Sequence, residues 1–397
     1  MSRQLRIARR ARLPDPVRLE RYRTNPAYGP RLLFFSGGTA LRESSRKLIR
    51  YTHNSIHLIT PFDSGGSSAK LRRAFRMLAV GDLRNRLMAL ADQSVLGQPA
   101  IFELFKHRFP ADADPRELRG RLARMVDGRD PRIATIGHPM RKLIRAHLRH
   151  FQEQMPARFD LRGANIGNLI LAGGYLNQGR HIDPVIYLFS KLVEVRGMVR
   201  PITSSNRHLV AELEDGTVLV GQHRITGKQR PPIASPVARV YLSRRQRKPE
   251  PAVTVLRQRV AEQITSADLI CYPMGSFYSS LIANLLVERV SAAIAANDVP
   301  KVFVPNLGAD PEQLGLDLPT LTQTLIRYLR AGCDPTVRTR ELLQLVLVDE
   351  AVVRANPELV ARIEALDVQL VAAPLVTARS APLIDGEQLV QLLLSLA

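Results

Sequence analysis

Three consecutive pieces of sequence decide the fold: LLFFSGGTALRESSRKL (residues 32–48), HLITPFDSGGSSAKLRRAF (57–75) and GDLRNRLMALAD (81–92). In the first piece an apolar run stops at Ser36-Gly37-Gly38-Thr39, and apolar residues then recur with helical spacing. This pattern predicts a strand, a glycine turn and a helix. Two glycines let the backbone approach a phosphate, and the following helix N-terminus offers free N–H groups and a partial positive charge. The first piece therefore predicts half of a nucleotide-binding unit.

The second piece repeats this arrangement with an acidic residue added. A short apolar strand at 56–60 runs into Asp63-Ser64-Gly65-Gly66-Ser67-Ser68. The helix predicted at 42–51 would connect the two strands as a crossover, which implies that they are parallel neighbours. An aspartate at a strand end, beside a loop of glycines and hydroxyls, is typical of a metal-assisted phosphate site.

Two later strands are expected to end on the same rim. The apolar run at 268–271 leads into a second glycine-serine turn around Gly275 and Ser276, and the run at 301–305 ends at Asn306. Parallel strands gather their loops at the carboxyl ends, where ligands bind at the point at which strand order reverses. We therefore expect these loops to meet Gly38 and Asp63.

These motifs, with GNLILAGGYL (167–176), ITSSNRHLVAELEDGTVLVG (202–221) and ADLICYPMGSFYSSLIANLLV (267–287), resemble the CofD/YvcK superfamily. That superfamily holds the 2-phospho-L-lactate transferases of deazaflavin coenzyme biosynthesis and the YvcK-type UDP-sugar-binding proteins. The resemblance runs in one colinear order from about residue 31 to the end. It is greatest for the CofD-related subgroup.

The residues and the resemblance together indicate one ligand site. Asp63 is the candidate catalytic residue and the candidate ligand of Mg²⁺, the divalent metal that the resemblance implies. Asp82 also fits the N-cap of the helix predicted after Gly81. The candidates for binding the nucleotide and its phosphates are Gly37, Gly38, Thr39, Gly65, Gly66, Ser67, Ser68, Lys70, Asp82, Arg84, Asn85, Gly167, Asn168, His208, Gly275, Ser276, Tyr278 and Asn306.

Three functions stay open at this point. The first is transfer of a 2-phospho-L-lactate (phospholactyl or phosphoenolpyruvyl-type) group from a nucleoside-diphosphate-linked donor of the GDP or UDP type to a hydroxyl acceptor. The second is non-catalytic binding of a nucleotide sugar, since Ser64 stands where relatives carry a second aspartate and Ala40 where they carry glycine. The third is nucleic-acid binding, which steeply salt-dependent association with duplex DNA would support.

The composition bears on the third function. A net charge of +21 and a pI near 10.8 favour a polyanionic partner, whereas an aromatic content of 5% without tryptophan leaves few platforms for stacking bases. Two cysteines are too few for a disulfide framework. The sequence shows neither a secretory signal nor a membrane-spanning apolar run, so we expect a cytoplasmic protein without a membrane partner. We also expect a homodimer.

The predicted fold class is α/β, a Rossmann-like three-layer fold with a mostly parallel sheet, a helical insertion and a small β-hairpin subdomain. Residues 1–30 are predicted to form a basic N-terminal arm and residues 31–397 the α/β domain. Within that domain, 94–160 are predicted to form the helical insertion, and 198–250 a β-hairpin excursion with a basic linker. Asp215-Gly216 predicts the hairpin turn.

Overall fold

A seven-stranded, fully parallel sheet organises the computed structural model, which describes residues 11–92, 99–227 and 231–397. Its strand order is β10-β9-β8-β7-β1-β2-β3, and a second, antiparallel sheet has the order β5-β4-β6. The α/β prediction is confirmed. The strands are β1 Leu32–Ser36, β2 Ile56–Ile59, β3 Met198–Pro201, β4 His208–Leu213, β5 Val218–Val220, β6 Val237–Ser243, β7 Leu269–Tyr272, β8 Lys301–Phe303, β9 Leu345–Asp349 and β10 Gln369–Ala373.

The strand order reverses next to β1. From β1 the chain adds β2 and β3 on one side, and it later adds β7, β8, β9 and β10 on the other. The central strands β1, β2 and β7 are buried along their whole length, which explains why they are apolar without alternation. The carboxyl ends of β1 and β7 therefore form the switch point, the usual position of a ligand crevice in such sheets.

Helices cover both faces of the large sheet. Three 3₁₀ turns (Pro26–Tyr28, Pro311–Gln313 and Thr339–Glu341) and a π-helical turn (Phe277–Ile282) complete the helical structure of the described residues. The α-helices are α1 Pro16–Thr24, α2 Arg42–Leu48, α3 Gly66–Phe75, α4 Gly81–Leu90, α5 Pro99–Lys106, α6 Pro115–Asp127, α7 Pro131–Ala134, α8 Met140–Gln154, α9 Ile166–Asn177, α10 Ile182–Leu192, α11 Gln222–Ile225, α12 Gln258–Thr265, α13 Ala283–Leu285, α14 Val290–Ala295, α15 Leu318–Arg330, α16 Glu350–Ala355, α17 Leu359–Glu364 and α18 Gly386–Leu396.

The helical insertion builds an apolar core of its own. Helices α5, α6 and α8 bury their apolar stripes against α9 and α10, and Phe75, Phe151 and Phe159 form an aromatic cluster there. Helices α8 and α9 approach so closely that a side chain at Gly173 would overlap the backbone of His147. This core fixes α9 beside α3 and α4, the two helices that follow the glycine-rich loops.

The small sheet differs in part from its prediction. The hairpin expected around Asp215-Gly216 is present, since β4 and β5 pair in antiparallel fashion across residues 214–217. However, β3 pairs with β2 in the large sheet and does not belong to the excursion. Strand β6 pairs with β4 inside the stretch predicted to be a basic linker, because Val237, Val240 and Leu242 pack on the core.

Part of the predicted basic arm docks on the end of the chain. The backbone N–H of Asp15 donates to Ser395 Oγ at 2.8 Å, and Arg18 donates to the carbonyl oxygen of Ser395 at 3.0 Å. Residues 1–10 of the arm and 94–98 of the insertion lie outside the described residues. Within the described ranges, every helix is too short or too polar to span a lipid bilayer.

Candidate functional site

A cleft of about 470 Å³ opens at the switch point. The loop after β1 forms one wall, the loop after β7 forms another, and residues from the start of α11 close it from the small sheet. Asp63, Asp82 and His223 are its titratable side chains. Among the lining residues that the structure describes, no lysine or arginine is present.

The loop after β1 needs glycine because a carboxylate presses against it. A side chain at Gly38 would overlap the carboxylate of Asp82 and would come within 3.1 Å of Asn85 Nδ2. A side chain at Gly37 would lie 2.5 Å from Ser280 Oγ. The two glycines therefore let α4 and the segment after β7 close directly on the backbone of the loop.

Arg86 holds this loop from inside the protein. The side chain is fully buried and donates to the carbonyl oxygens of Leu41 at 3.0 Å and Gly37 at 3.1 Å. It also donates to the hydroxyl of Ser45. Burial lowers the pKa of Arg86 to about 10, and Asp82 opposes that shift, so the guanidinium remains charged at neutral pH. Arg86 thus fixes both ends of the glycine loop.

The second loop presents Asp63 to the cleft. Oδ1 of Asp63 accepts from the backbone N–H of Gly65 at 2.9 Å, while Oδ2 would lie 3.3 Å from a side chain at Gly81. The backbone carbonyls of Phe62 and Asp63 accept from the buried Arg72 at 2.8 and 3.1 Å. Burial lowers the pKa of Arg72 to about 10, and the nearby Asp63 opposes the shift. The position of the Asp63 carboxylate is therefore set from both sides.

Ser64, the residue after Asp63, contacts a histidine of α11, the short helix that follows β5. Its Oγ lies 2.8 Å from Nδ1 of His223 and accepts from the backbone N–H of His223 at 3.3 Å. His223 is the second residue of α11, which begins directly after Gly221, and a side chain at Gly221 would lie 2.8 Å from Ser64 Oγ. The contact with Ser64 therefore attaches the imidazole of His223 to the loop that carries Asp63.

The third loop is held by the segment after β8. Asn306 bridges Gly275, donating from Nδ2 to its carbonyl at 2.7 Å and accepting from its N–H at 2.9 Å. A side chain at Gly275, whose φ is +139°, would lie 3.3 Å from Cβ of Ala40. The loops after β1 and β7 therefore lie side by side, and Asn306 supports them from outside the cleft.

A buried carboxylate completes the attachment of this loop. Glu312 accepts from the N–H groups of Tyr278 and Ser279, both at 2.8 Å, and from Ser279 Oγ at 2.5 Å. Burial, followed by the neighbouring Asp310 carboxylate, raises the pKa of Glu312 from 4.5 to about 7, although the hydrogen bonds from Ser279 and Tyr278 oppose the shift. Near neutral pH the folded protein therefore carries a large fraction of protonated Glu312.

Glu312→Gln is expected to flatten the pH dependence of stability. A pKa raised in the folded state means that folding binds a proton, so the contribution of Glu312 is complete below pH 4.5 and is lost as pH rises through about 7. Glutamine can accept from both N–H groups and donate to Ser279. Relative to the variant, the wild-type Tm should fall by roughly 5 °C between pH 5 and pH 8. Parallel Tm profiles of the two proteins over this range would contradict the assignment.

The structure brings eight of the predicted site residues into the cleft lining: Gly37, Gly38, Thr39, Asp63, Gly65, Asp82, Gly275 and Ser276. Four others pack directly behind it. These are Gly66, Ser67, Ser68 and Asn168. A side chain at Gly81 would lie 2.5 Å from Ser68 Oγ and 3.8 Å from Asn168 Nδ2. Ser67 Oγ accepts from the N–H of Asn165 at 3.4 Å, and Gly66 begins α3 with a φ of +45°. Asn306 acts on the cleft through Gly275.

The other predicted residues lie away from the cleft. Lys70 forms an ion pair with Asp160 at 2.7 Å. The Tyr278 ring is buried against Phe277 and Tyr328, and burial raises its pKa. His208 begins β4, where burial and the nearby Arg72 lower its pKa to about 4.

Three further candidates occupy α4 and α9. Arg84 and Asn85 line a separate small pocket behind the glycine loop, and Gly167 packs against Phe105 and Arg84. Asp82 is not the N-cap of α4, because Val80 takes that position without a side-chain hydrogen bond. Asp82 is the second residue of α4, and from this position its carboxylate reaches Gly38.

Sequence reasoning missed three residues on which the site depends: Arg86, His223 and Glu312. The sequence around Arg86 contains several arginines, and nothing in their spacing indicates that Arg86 is fully buried. His208 was chosen as the histidine of this region, whereas the fold brings His223 into the cleft. A lone glutamate in a proline-rich turn carries no signal of burial.

A metal site built from protein side chains alone is not present in the described ranges, where no group of three or more histidine, cysteine, aspartate or glutamate residues could hold an ion. Asp63 and Asp82 are the carboxylates of the described cleft lining. One or two carboxylates suffice for Mg²⁺ when phosphate oxygens and water supply the remaining ligands. The residues present therefore fit a metal that arrives with a phosphorylated ligand.

An open parallel sheet with a glycine-walled cleft at its switch point defines the class of doubly wound α/β proteins. Within that class, the family model described as 2-phospho-L-lactate transferase CofD matches residues 32–383. The chain belongs to the CofD family.

Curated relatives and a solved structure are also similar to this chain. The gluconeogenesis factor of Bacillus subtilis is 29% identical over 283 residues, which cover 71% of this chain and 69% of that protein. A relative from Nostoc sp. is 30% identical over 320 residues, 81% of this chain but only 55% of that protein. A crystal structure of a UPF0052 family member from Bacillus halodurans shares the fold, with a TM-score of 0.67 and 24% identity over 92% of this chain and 99% of that one.

Proposed function

We propose that the cleft binds a nucleoside-diphosphate-linked small molecule, with the diphosphate on the glycine loops. The observation that carries the proposal is the convergence of the loops after β1, β2 and β7 on one cleft at the switch point. The N–H groups of Gly65 and Gly275 already donate to Asp63 and Asn306, so the remaining backbone N–H groups of the loops after β1 and β7 would be the ones that bind an anion. The volume of about 470 Å³ lies within the range of small-molecule sites.

The charges of the cleft support Mg²⁺ as part of the bound species. The described lining contains two aspartates and no lysine or arginine, so a free diphosphate would meet net negative charge. A divalent cation carried by the diphosphate would turn this repulsion into attraction. When bound, such a cation neutralises charge on the phosphate oxygens, which is the chemistry it would supply here.

For catalysis, we propose transfer of a phospholactyl-type group to an acceptor hydroxyl, in keeping with the family description. The hydroxyl oxygen forms a bond to the distal phosphorus, the bond between that phosphorus and the bridging oxygen breaks, and a nucleoside monophosphate leaves. Asp63 accepts the hydroxyl proton, and His223 with Ser64 orients the acceptor. Positioning and charge neutralisation would supply most of the rate enhancement.

The second candidate is a binding protein that does not turn its ligand over. The observation that favours it is the contact between Ser64 and His223, because Ser64 stands where the family resemblance implies a second carboxylate. Loss of a carboxylate weakens general-base chemistry more than it weakens binding of the nucleotide. The relatives from Listeria monocytogenes and Bacillus subtilis are named gluconeogenesis factors, a name that does not refer to a reaction.

The experiment that tests the proposal is a thermal-shift screen of the full chain with GDP, UDP and their sugar conjugates, with and without Mg²⁺. A ligand at one hundred times its Kd stabilises the folded state by about 2.7 kcal/mol, which is readily measured. We expect a shift that requires Mg²⁺. Release of nucleoside monophosphate after a hydroxyl acceptor is added to the same mixture supports the transferase, stable binding without release supports the binding protein, and no shift with any nucleotide contradicts both.

Gly38→Ala is expected to weaken nucleotide binding at least tenfold. The added methyl group would overlap the carboxylate of Asp82, so the loop or the carboxylate must move. The matched control is Gly137→Ala, where a side chain meets nothing within 4 Å. Calorimetric titration with the nucleotide that gave the largest thermal shift checks the prediction. Equal affinity of both variants would show that the loop does not touch the ligand.

A further inference from the structure

A second, smaller pocket lies on the far side of the glycine loop. It has a volume of about 200 Å³, and its described lining contains five basic side chains and no carboxylate: Arg42, Arg46, Arg84, Lys106 and Arg108. The two pockets are separated by Gly38 and by Asn85, whose Nδ2 would lie 3.1 Å from a side chain at Gly38. The charged side chains of the first cleft are thus carboxylates, and those of the second pocket are basic.

Part of this positive charge has no partner. Arg84 Nη1 and Arg46 Nε are buried, and neither has a hydrogen-bond partner among the described residues. Arg108 donates to the carbonyl of Gly163 at 2.6 Å, and Lys106 forms an ion pair with Glu103 at 3.0 Å. The other guanidinium contact of Arg84 is with the amide oxygen of Asn85. Donors that are buried without acceptors are rare in folded proteins and commonly mark a missing ion or ligand.

Electrostatics lead to the same conclusion. Burial, together with the charges of Arg108 and Arg42, lowers the pKa of Arg84 to about 10, and Asp82 opposes the shift. Arg84 nevertheless remains charged at neutral pH, so several like charges are held together around a small volume. An anion between them would offset the repulsion and satisfy the unpartnered donors. Arginine forks match the oxygens of phosphate in a bidentate manner.

We infer that the pocket lined by Arg42, Arg46, Arg84 and Arg108 is a second anion site, which binds a phosphate group independently of the nucleotide cleft. The phosphate could be inorganic phosphate or the monoester of a small metabolite, since Met88, Phe102 and Phe105 give one wall an apolar surface. The pocket does not depend on the proposed function, because its residues are separate from the cleft lining.

The test is titration of the full chain with inorganic phosphate at constant ionic strength, with and without saturating nucleoside diphosphate and Mg²⁺. The variant is Arg42→Gln with Arg46→Gln, because both side chains line the pocket and the buried Nε of Arg46 has no hydrogen-bond partner among the described residues. The control is Arg50→Gln with Arg73→Gln, which removes the same charge from exposed positions outside the pocket. Thermal unfolding of both variants verifies that they are folded.

We expect one phosphate to bind per chain, with an affinity at least tenfold lower in the pocket variant and within twofold of wild type in the control. Binding should persist when the nucleotide cleft is saturated, and glycerol phosphate should compete with phosphate. Equal affinity of the pocket variant and the control would overturn the inference. Loss of phosphate binding on nucleotide saturation would overturn it as well, because the phosphate would then occupy the first cleft. Phosphate binding without any nucleotide binding would leave the second site standing and reject the proposed function.

Discussion

Replacement of Arg86 by methionine is expected to lower the free energy of unfolding by roughly 3 kcal/mol and to abolish nucleotide binding. Methionine fills a similar volume but donates no hydrogen bonds. The carbonyl oxygen of Gly37 would then lose its donor, whereas that of Leu41 would keep only the N–H of Ser45. An unsatisfied buried acceptor costs about 1–3 kcal/mol, and the lost contacts to Leu41 and to the Ser45 hydroxyl add to this cost. Chemical denaturation followed by circular dichroism measures it.

Arg50→Met is the matched control, since Arg50 is exposed at the end of the same α2 region and its loss should leave stability within about 0.5 kcal/mol of wild type. Arg86→Lys separates charge from geometry, because lysine keeps the charge but cannot reach several acceptors at once. It should recover only part of the lost stability. Wild-type stability and nucleotide affinity in Arg86→Met would show that the glycine loop does not depend on this side chain.

Asp63→Asn is expected to reduce nucleotide release by about 10²–10⁴-fold if the protein is a transferase, the range typical of removing a general base. The asparagine side chain can still accept from the N–H of Gly65, the contact that orients Asp63. The substitution therefore removes charge and basicity while it keeps the turn. Nucleotide affinity should change less than turnover, and its dependence on Mg²⁺ should weaken.

The control for this substitution is Asp112→Asn, an exposed carboxylate in the helical insertion, which should leave both quantities unchanged. Steady-state rates and calorimetric titrations are measured on the same preparations. Full turnover in Asp63→Asn would remove Asp63 from the chemistry. Unchanged affinity and unchanged Mg²⁺ dependence in a protein without turnover would place the metal elsewhere.

The sequence was sufficient to predict the convergence of three loops. Each loop follows an apolar strand, and parallel strands place their following loops on one edge of the sheet. Gly38 and Asp63 therefore line one cleft with Ser276, although Ser276 follows them by more than two hundred residues along the chain. The positions of the strands can be read from the local apolar pattern, and the shared direction of parallel strands then places the loops together.

The supports of these loops could not be predicted in the same way. Arg86 and Glu312 act through burial, and burial depends on contacts between distant segments such as residues 310–312 and 277–280. Charged residues are usually exposed, so a sequence gives no reason to expect these two inside. Strand β6 was missed for a different reason, because Arg239 within it, and the prolines and arginines that flank it, masked a short apolar run.

The choice of histidine shows the limit of motif matching. His208 lies within the segment 202–221 that resembles the family, whereas His223 lies two residues beyond its end. Only the fold places His223 against Ser64. Lys70 illustrates the opposite error. It follows the Asp63 loop closely in sequence, but its helix turns it toward Asp160 in the insertion.

The most direct test of the account is a crystal structure of the full chain grown with Mg²⁺ and the nucleoside-diphosphate ligand that gives the largest thermal shift. The account predicts the diphosphate within hydrogen-bond distance of backbone N–H groups in the loops at 37–39 and 275–276, with the Asp63 carboxylate facing it. A nucleotide bound on another surface, with these loops in contact only with solvent, would contradict the account.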